Sequence, residues 1–414
     1  MHRFPKMIEL VRNFPDQSIV SVGELVARVL KESELKNILV PGNRVAVTAG
    51  SRGIKNIVLI LKTIVDYISS CGCQPFVISA MGSHGGGTVE GQLSLLGKLG
   101  ITPDNIGAPV LASDRCVFLP GSQDSIYVNA LALDFDQIIV VNRVKPHTSF
   151  HGPAESGLQK MLAVGLGGPK GASSIHALGV NALSSIIPKV SKIMVKLLPV
   201  ALGIAILEDA YDNTRAIEVL PTDVFAEREE KLLDQAWNSM PLLPFDQLDL
   251  LVVDEIGKIY SGTGMDTNVI GRLRISGVAE PEKPMIKRIV ALGLAPQSHG
   301  NAYGIGLADF TTRKLMDQID YKATYLNAMT STFVLRAMTP MILPNDFSAI
   351  QAAIESLGQT KAKTLRMVRI KNTLQLDKLL ISEVLSNEVK SIKSVCIAGE
   401  PRNLFDHNNN LLPF

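Results

Sequence analysis

Short apolar runs that end in glycine-rich turns recur along the first half of the chain. Residues 44–48 (RVAVT), 75–80 and 137–141 (QIIVV) carry the apolar and β-branched side chains of buried strands. Residues 54–70 place apolar side chains at helical spacing, and another helix is predicted to begin near Thr88, whose hydroxyl can cap it. Strands that alternate with glycine turns and helices are typical of a parallel α/β sheet.

This pattern is interrupted at residues 240–247 (MPLLPFDQ), where prolines replace helix formers, and it then starts again. Residues 310–329 are largely helical in pattern. Further strands are predicted at residues 202–207, 248–253, 288–294 and 394–399. We therefore predict an α/β protein of two domains with mostly parallel sheets, residues 1–245 and residues 246–414. The active-site cleft is expected between the two domains, and the second is expected to close it.

Composition narrows the class of protein. The chain has 414 residues, which favours two domains over one, and its formal net charge of +2 is too small to suggest nucleic acid as a partner. Four cysteines without a CxxC pair predict neither a disulfide framework nor a cysteine-based metal site. The first residues lack an apolar signal core, and the apolar run at residues 197–207 is too short to span a bilayer. A cytoplasmic protein without membrane contact is expected, and its oligomeric state is left open.

Candidate chemistry is concentrated in the loops that follow the predicted strands. Arg52, His84 and His147 each lie just beyond a strand end. Ligands of open parallel sheets bind beyond the carboxyl ends of the strands, so these side chains are expected to meet in one site. Imidazole is a common transition-metal ligand and a general acid or base near neutral pH, which makes His84, His147 and His176 candidates for both roles.

Taken in order, His84, His147, Lys160 and His176 resemble the nickel-dependent lactate racemase family. The resemblance is carried by the motifs GSH and KPH, by the glycine-rich approach to Lys160, and by the spacing of 16 residues from Lys160 to His176. It is strongest over residues 40–180. Members of that family bind a nickel-pincer nucleotide, pyridinium-3,5-bisthiocarboxylic acid mononucleotide nickel, whose two sulfur arms hold the metal.

The resemblance implies a role for each matched residue. Lys160 would be joined to the cofactor through a thioamide, and His176 would bind nickel. His84 and His147 would be an acid/base pair, and Arg52 would hold the substrate carboxylate. Further contacts to the nucleotide are expected from Gly50, Ser51, Gly167 and Gly168.

Two departures from the family pattern concern the cofactor and the substrate. Ala49 stands where lactate racemase has an aspartate, and the segment between His147 and Lys160 is three residues longer here. That longer segment contains His151, which is expected at the surface or behind the site. His299 is expected in a polar loop of the second domain.

The implied activity is racemisation or epimerisation of a small 2-hydroxy acid by hydride transfer. The Cα hydrogen of an ionised hydroxy acid is a very weak acid, and general-base assistance supplies only about 10²–10⁴-fold. Removal as hydride to a pyridinium ring avoids the carbanion, because the cofactor then carries the difficult step. Enzymes that build the cofactor would be partners.

Two alternatives remain open from the sequence. The first is a zinc-dependent hydrolase or lyase that uses His84, His147 and His176 directly as metal ligands. The second is a relative without catalytic activity that binds a nucleotide or an acid.

Overall fold

The computed structural model describes residues 4–122, 126–358, 361–392 and 394–414. The chain forms two compact units. One is Pro15–Met240, and the other joins Met1–Phe14 to Pro241–Phe414. The sequence-based division at residue 245 differs from this arrangement at the amino terminus, because the strand Met7–Arg12 pairs with strands formed by the last part of the chain.

Within the described ranges the strands are, in chain order, β1 (Met7–Arg12), β2 (Arg44–Ala49), β3 (Gln74–Ser79), β4 (Val110–Leu111), β5 (Cys116–Phe118), β6 (Tyr127–Asn129), β7 (Gln137–Arg143), β8 (Val200–Glu208), β9 (Thr214–Pro221), β10 (Gln247–Val253), β11 (Met285–Ala291), β12 (Phe310–Thr312), β13 (Met341–Leu343), β14 (Met367–Ile370), β15 (Lys378–Ser382) and β16 (Val395–Arg402). Each strand predicted from an apolar run is present, with its bounds shifted by up to three residues. The fold class, α/β with mostly parallel sheets, is confirmed.

The α-helices in the same ranges are α1 (Val22–Glu32), α2 (Leu35–Ile38), α3 (Ile57–Ser70), α4 (Val89–Lys98), α5 (Pro103–Ile106), α6 (Leu158–Lys160), α7 (Gly168–His176), α8 (Val180–Leu197), α9 (Phe225–Ser239), α10 (Thr267–Ile270), α11 (Arg313–Met316), α12 (Tyr321–Ser331), α13 (Asp346–Glu355) and α14 (Ser386–Val389). A π-helical turn, Met161–Leu166, connects α6 to α7. Thr88 caps α4 as predicted, because its hydroxyl accepts a hydrogen bond from the Gly91 N–H.

The unit Pro15–Met240 is built on a six-stranded sheet in the order β4-β3-β2-β7-β8-β9. The strands from β4 to β8 are parallel, and β9 returns antiparallel along β8. The apolar face of α3, with Ile60, Leu61 and Ile64 fully buried, packs into the core beside the sheet. Because β3, β2 and β7 are neighbours and parallel, the loops that follow them emerge at one edge of the sheet.

The other unit contains an eight-stranded sheet in the order β13-β12-β11-β10-β14-β15-β1-β16. Its strands from β13 to β14 are parallel, whereas β15, β1 and β16 pair antiparallel. The prediction that residues 310–329 are largely helical is correct for α11 and α12 and wrong for Phe310–Thr312. Those three residues form a short buried strand between β11 and β13, an environment that suits aromatic and β-branched side chains.

None of the helices in the described part of the chain combines the length and the apolar character needed to cross a membrane.

Gly203, in the middle of β8, provides the space into which the start of α6 packs. A β-carbon at this position would collide with the Leu158 side chain and would lie 2.7 Å from the Phe225 ring. We predict that Gly203→Ala lowers the free energy of unfolding by about 1–3 kcal/mol, because an overpacked core must shift its side chains. Urea unfolding followed by circular dichroism measures this loss.

Gly97→Ala in α4 is the matched control. A β-carbon there would meet no atom within 4 Å, so alanine should stabilise the helix by up to about 1 kcal/mol. Equal unfolding midpoints for Gly203→Ala and the wild-type protein would contradict the packing described here.

Candidate active site

Three loops follow the neighbouring parallel strands β2, β3 and β7. Ser51 and Arg52 follow β2, His84 follows β3, and His147 follows β7. The hydroxyl of Ser51 is hydrogen-bonded to Nδ1 of His84, which joins the first two loops directly. The Gly82 N–H donates to the Gly165 carbonyl at 3.1 Å and so ties the end of β3 to the π-helical turn. These contacts join the loops after β2 and β3, and the meeting of His147 with them stays a prediction.

The loop after β7 fixes the orientation of His147. The backbone N–H of His147 donates to the Glu155 carboxylate at 2.6 Å, and the Ser149 N–H donates to Nδ1 of His147 at 3.1 Å. The His147 ring packs on Phe150, with centroids 4.5 Å apart. Glu155 is 2% exposed and also accepts a hydrogen bond from the His151 ring. The loop is therefore folded around one buried carboxylate.

Two further histidines singled out in the sequence, His151 and His299, lie at the surface. His151 is exposed, contacts Glu155, and meets the Trp237 ring edge-on at 5.1 Å. It stands behind the loop that carries His147, as expected from the sequence. His299 follows the turn Pro296–Ser298 in the other unit, and its side chain is exposed.

Lys160 ends α6, and its amine lies 5.8 Å from the centre of the Phe150 ring. The pKa of this amine is lowered to about 7, first by burial and then by the positive charge of Arg52, while Glu155 acts in the opposite direction. An exposed lysine amine titrates near 10.4. A substantial fraction of Lys160 is consequently neutral at physiological pH, in the state in which an amine is a nucleophile.

A buried carboxylate holds the helix that presents Lys160. Glu229 of α9 is 1% exposed, and one of its oxygens accepts the N–H groups of Leu158 and Gln159 at 2.7 and 3.0 Å. From the other side, the Asn142 side-chain amide donates to the Gly157 carbonyl at 2.8 Å. A β-carbon on Gly157 would lie 2.7 Å from the Glu229 carboxylate, so any larger residue would displace this carboxylate.

The buried position of Glu229 changes the pKa of its carboxyl group. Burial raises its pKa to about 7, although the backbone hydrogen bonds from Gln159 and Leu158 oppose the shift. Its second carboxylate oxygen, Oε1, has no hydrogen-bond partner among the described residues. Protonation near neutral pH relieves the burial of a charge.

His176 is the last residue of α7, which follows the π-helical turn. Burial lowers the pKa of the imidazole to about 4, and the charge of Lys160 adds to the effect. The ring is therefore neutral at physiological pH and can offer a lone pair to a metal ion. Turns of π-helix inside helices are frequent at functional sites.

Arg52 has a solvent-accessible side chain, and its pKa is nevertheless lowered by desolvation and by the like charge of Arg143. Arg143 itself is paired with Glu208. A guanidinium in such surroundings gains from binding an anion such as a carboxylate, which would offset the repulsion from Arg143 and Lys160.

The four residues expected to contact the nucleotide fall into two groups. Gly50 and Ser51 lie at the end of β2, and a β-carbon on Gly50 would meet the Met161 side chain at 3.1 Å. Gly167 and Gly168 are buried, and β-carbons there would press on the Ala163 carbonyl and the Cys116 sulfur. Packing within the protein accounts for both of these glycines, and their contact with a nucleotide stays a prediction.

His84, His147 and His176 do not form a three-histidine metal site. No group of three or more histidine, cysteine, aspartate or glutamate side chains in the described part of the chain is arranged to hold a metal ion. A site that takes one ligand from the protein and the others from an organic cofactor does not need such a group.

Sequence reasoning missed Glu229, Asn142 and Phe150. Glu229 had a signal in the sequence: it occupies a position of the buried stripe of α9, which also contains Phe225 and Leu232. An acidic residue within an apolar stripe indicates a specific partner, because a buried charge must be paired or hydrogen-bonded. Asn142 and Phe150 have no comparable signal, because their contacts depend on the loop conformation.

Comparisons with known proteins bear on the fold. No protein-family model matches the sequence, and no curated protein matches it. The structure is similar to that of the lactate racemase apoprotein from Thermoanaerobacterium thermosaccharolyticum, with a TM-score of 0.54 and 13% sequence identity over 89% of this chain and 98% of that chain. At this identity the likeness establishes the fold. The family resemblance read from the sequence is therefore confirmed at the level of the fold.

The lowered pKa of Lys160 gives a direct prediction. In competitive acetylation of the protein without cofactor, followed by mass spectrometry, Lys160 should react with a midpoint near pH 7, whereas exposed amines follow a midpoint near 10. In Arg52→Gln the midpoint should move upward, because a repelling charge is removed. A Lys160 midpoint equal to that of exposed amines would show that the amine is solvated.

The raised pKa of Glu229 predicts how stability depends on pH. The folded protein retains a proton on this group up to about pH 7, whereas the unfolded chain releases it near 4.3. Stability from this group is thus complete below about pH 4 and is lost as the pH rises to about 7, by a few kcal/mol. Glu229→Gln resembles the protonated acid and should lack this loss. The same pH dependence of the unfolding free energy in the wild-type protein and in Glu229→Gln would disprove the raised pKa of Glu229.

Proposed function

We propose that the protein is a racemase or epimerase of a small 2-hydroxy acid that uses a nickel-pincer nucleotide attached to Lys160. The observation that carries the proposal is the pairing of two desolvated nitrogen groups, the Lys160 amine and the His176 imidazole, close enough for the charge of one to affect the other. They lie with the strand-end loops of Arg52, His84 and His147 in one unit of a protein with the lactate racemase fold.

The residues present fit this cofactor. A thioamide requires an uncharged amine, and burial favours the uncharged form of Lys160. Once acylated, the lysine nitrogen would no longer repel a pyridinium cation. Imidazole is a suitable ligand for nickel, and His176 is held neutral, so its lone pair is available without prior loss of a proton.

When bound, the cofactor would supply a reversible hydride acceptor for interconversion of the hydroxy acid and its planar keto acid. The remaining tasks belong to the protein. Arg52 can hold the substrate carboxylate with a planar pair of donors, which keeps the keto acid in place between the two hydride transfers. His84 and His147 can exchange the proton of the substrate hydroxyl. They follow different strands, β3 and β7, and so can approach the substrate from different directions.

The test uses protein made together with enzymes that build the cofactor. We expect about one equivalent of nickel and a mass adduct on the peptide that contains Lys160, and we expect chiral chromatography to show inversion of at least one member of a panel of short and sugar-derived 2-hydroxy acids. Lys160→Ala should lose the adduct, the nickel and the activity.

Lys170→Ala is the matched control, because Lys170 is an exposed lysine on the neighbouring helix α7. It should keep the adduct and the activity. Full activity in Lys160→Ala, or an unmodified Lys160 in protein that inverts a hydroxy acid, would contradict the proposal.

A further inference from the structure

The two candidate acid/base histidines have hydrogen-bond partners of different kinds at Nδ1. His147 accepts there from the backbone N–H of Ser149 at 3.1 Å. His84 is bonded there to the hydroxyl of Ser51. A backbone N–H can only donate, whereas a hydroxyl can donate or accept. The two rings are therefore constrained differently.

The contact from Ser149 fixes the proton of His147. A ring that accepts at Nδ1 has its lone pair there, so neutral His147 carries its hydrogen on Nε2. A second proton would have to bind Nδ1. There it would point at the hydrogen of the Ser149 N–H, and the two donors would repel each other. The loop opposes a ring flip that would avoid this clash, because Phe150 packs on the ring and buried Glu155 holds the His147 backbone.

The contact from Ser51 leaves His84 able to change its charge. Ser51 can accept from Nδ1–H of His84, which places the lone pair of the neutral ring on Nε2. When Nε2 takes a proton, Nδ1–H still donates to the same hydroxyl, so the contact is kept in both charge states. This is the behaviour required of a group that takes up and releases a proton in each turnover.

We propose that the two histidines have different tasks in the proposed reaction. His84, positioned by Ser51, takes the proton of the substrate hydroxyl, whereas His147 stays neutral and donates its Nε2–H to the substrate oxygen. In that reaction the O–H bond breaks, its proton moves to His84, and its electron pair forms the C=O bond, while the hydrogen on Cα would be given up as hydride, for which the bound cofactor would supply the acceptor. This assignment replaces the symmetric acid/base pair that the family resemblance implies, and it rests on the proposed function.

Charges around the His147 loop come from several elements. The ionisable residues on this loop and on the elements described beside it include Arg52, His84, Arg143, Lys145, His151, Glu155, Lys160, Glu208 and Asp212. Among them, Glu155 is the carboxylate that contacts the His147 main chain, and its oxygens are engaged by the His147 N–H, the Gly152 N–H and the His151 ring. The Ser149 N–H contacts Nδ1 of the ring directly, and it disfavours a proton on that atom.

The first test needs neither cofactor nor activity. In protein labelled with ¹⁵N-histidine, long-range ¹H–¹⁵N spectra report which ring nitrogen carries hydrogen, and the variants His84→Gln and His147→Gln assign the signals. We expect His147 to show bare Nδ1 and protonated Nε2 from about pH 6 to 8.5, and His84 to gain a second ring proton on acidification. Hydrogen on Nδ1 of His147, in either charge state within that range, would overturn the assignment.

Ser51 has its own readout in these spectra. Ser51→Ala should change the tautomer signals of His84 and leave those of His147 unaltered, and Ser51→Thr should restore them, because threonine keeps the hydroxyl. Unchanged His84 signals in Ser51→Ala would remove Ser51 as a positioning residue.

The second test compares glutamine with alanine at both positions in protein loaded with cofactor. A glutamine amide can donate a hydrogen bond but cannot carry a proton. We expect His147→Gln to stay within about tenfold of wild-type kcat and His147→Ala to lose about 10- to 100-fold more. At His84 both substitutions should cost a similar factor of about 10²–10⁴. Equal losses for the two His147 variants, with loading and folding intact, would overturn the donor role.

The two tests separate failure of this inference from failure of the proposed function. If wild-type protein with verified cofactor inverts no hydroxy acid, the proposed function fails, and the spectra still decide the tautomer of His147. If wild-type protein is active and His147 proves to be protonated on Nδ1, the inference alone fails.

Discussion

The candidate site depends on the desolvation of the amine of Lys160, a half-buried residue. Desolvation, more than any single charge, brings the pKa of this group near neutrality, and the effect lasts only while the short helix α6 keeps its position. Glu229 fixes that position by accepting the first N–H groups of the helix. Gly157 contributes because a side chain there would collide with the Glu229 carboxylate. Gly203 accommodates the Leu158 side chain beneath it.

The same low-dielectric surroundings act on the neighbouring groups in a consistent direction. His176 loses its affinity for a proton through burial and through the charge of Lys160, and Glu229 gains affinity for one. An amine and an imidazole that are neutral at physiological pH can form covalent and metal bonds without first losing protons. Arg52 keeps its charge, which suits a substrate that is an anion. The electrostatics of the site therefore match the chemistry proposed for it.

Much of this arrangement follows from the sequence, because parallel strands place their carboxyl ends together. Apolar runs located β2, β3 and β7, and the residues that follow them, Arg52, His84 and His147, were therefore expected at one edge. The pairing of β1 with β15 and β16 was not predictable, because it joins residues more than 350 positions apart. The local pattern of apolar and polar residues does not indicate which strands will pair. The tautomer of His147 was equally hidden, since it depends on one backbone N–H in an irregular loop.

In the proposed function, Lys160 and His176 together hold one nickel-bearing ring. X-ray absorption at the nickel edge of the loaded protein tests this most directly, because it reports the atoms bound to the metal. We predict sulfur neighbours together with imidazole scattering, and we predict that His176→Ala loses the imidazole scattering and keeps the sulfur. A first shell of nitrogen and oxygen alone, or imidazole scattering that persists in His176→Ala, would contradict the account.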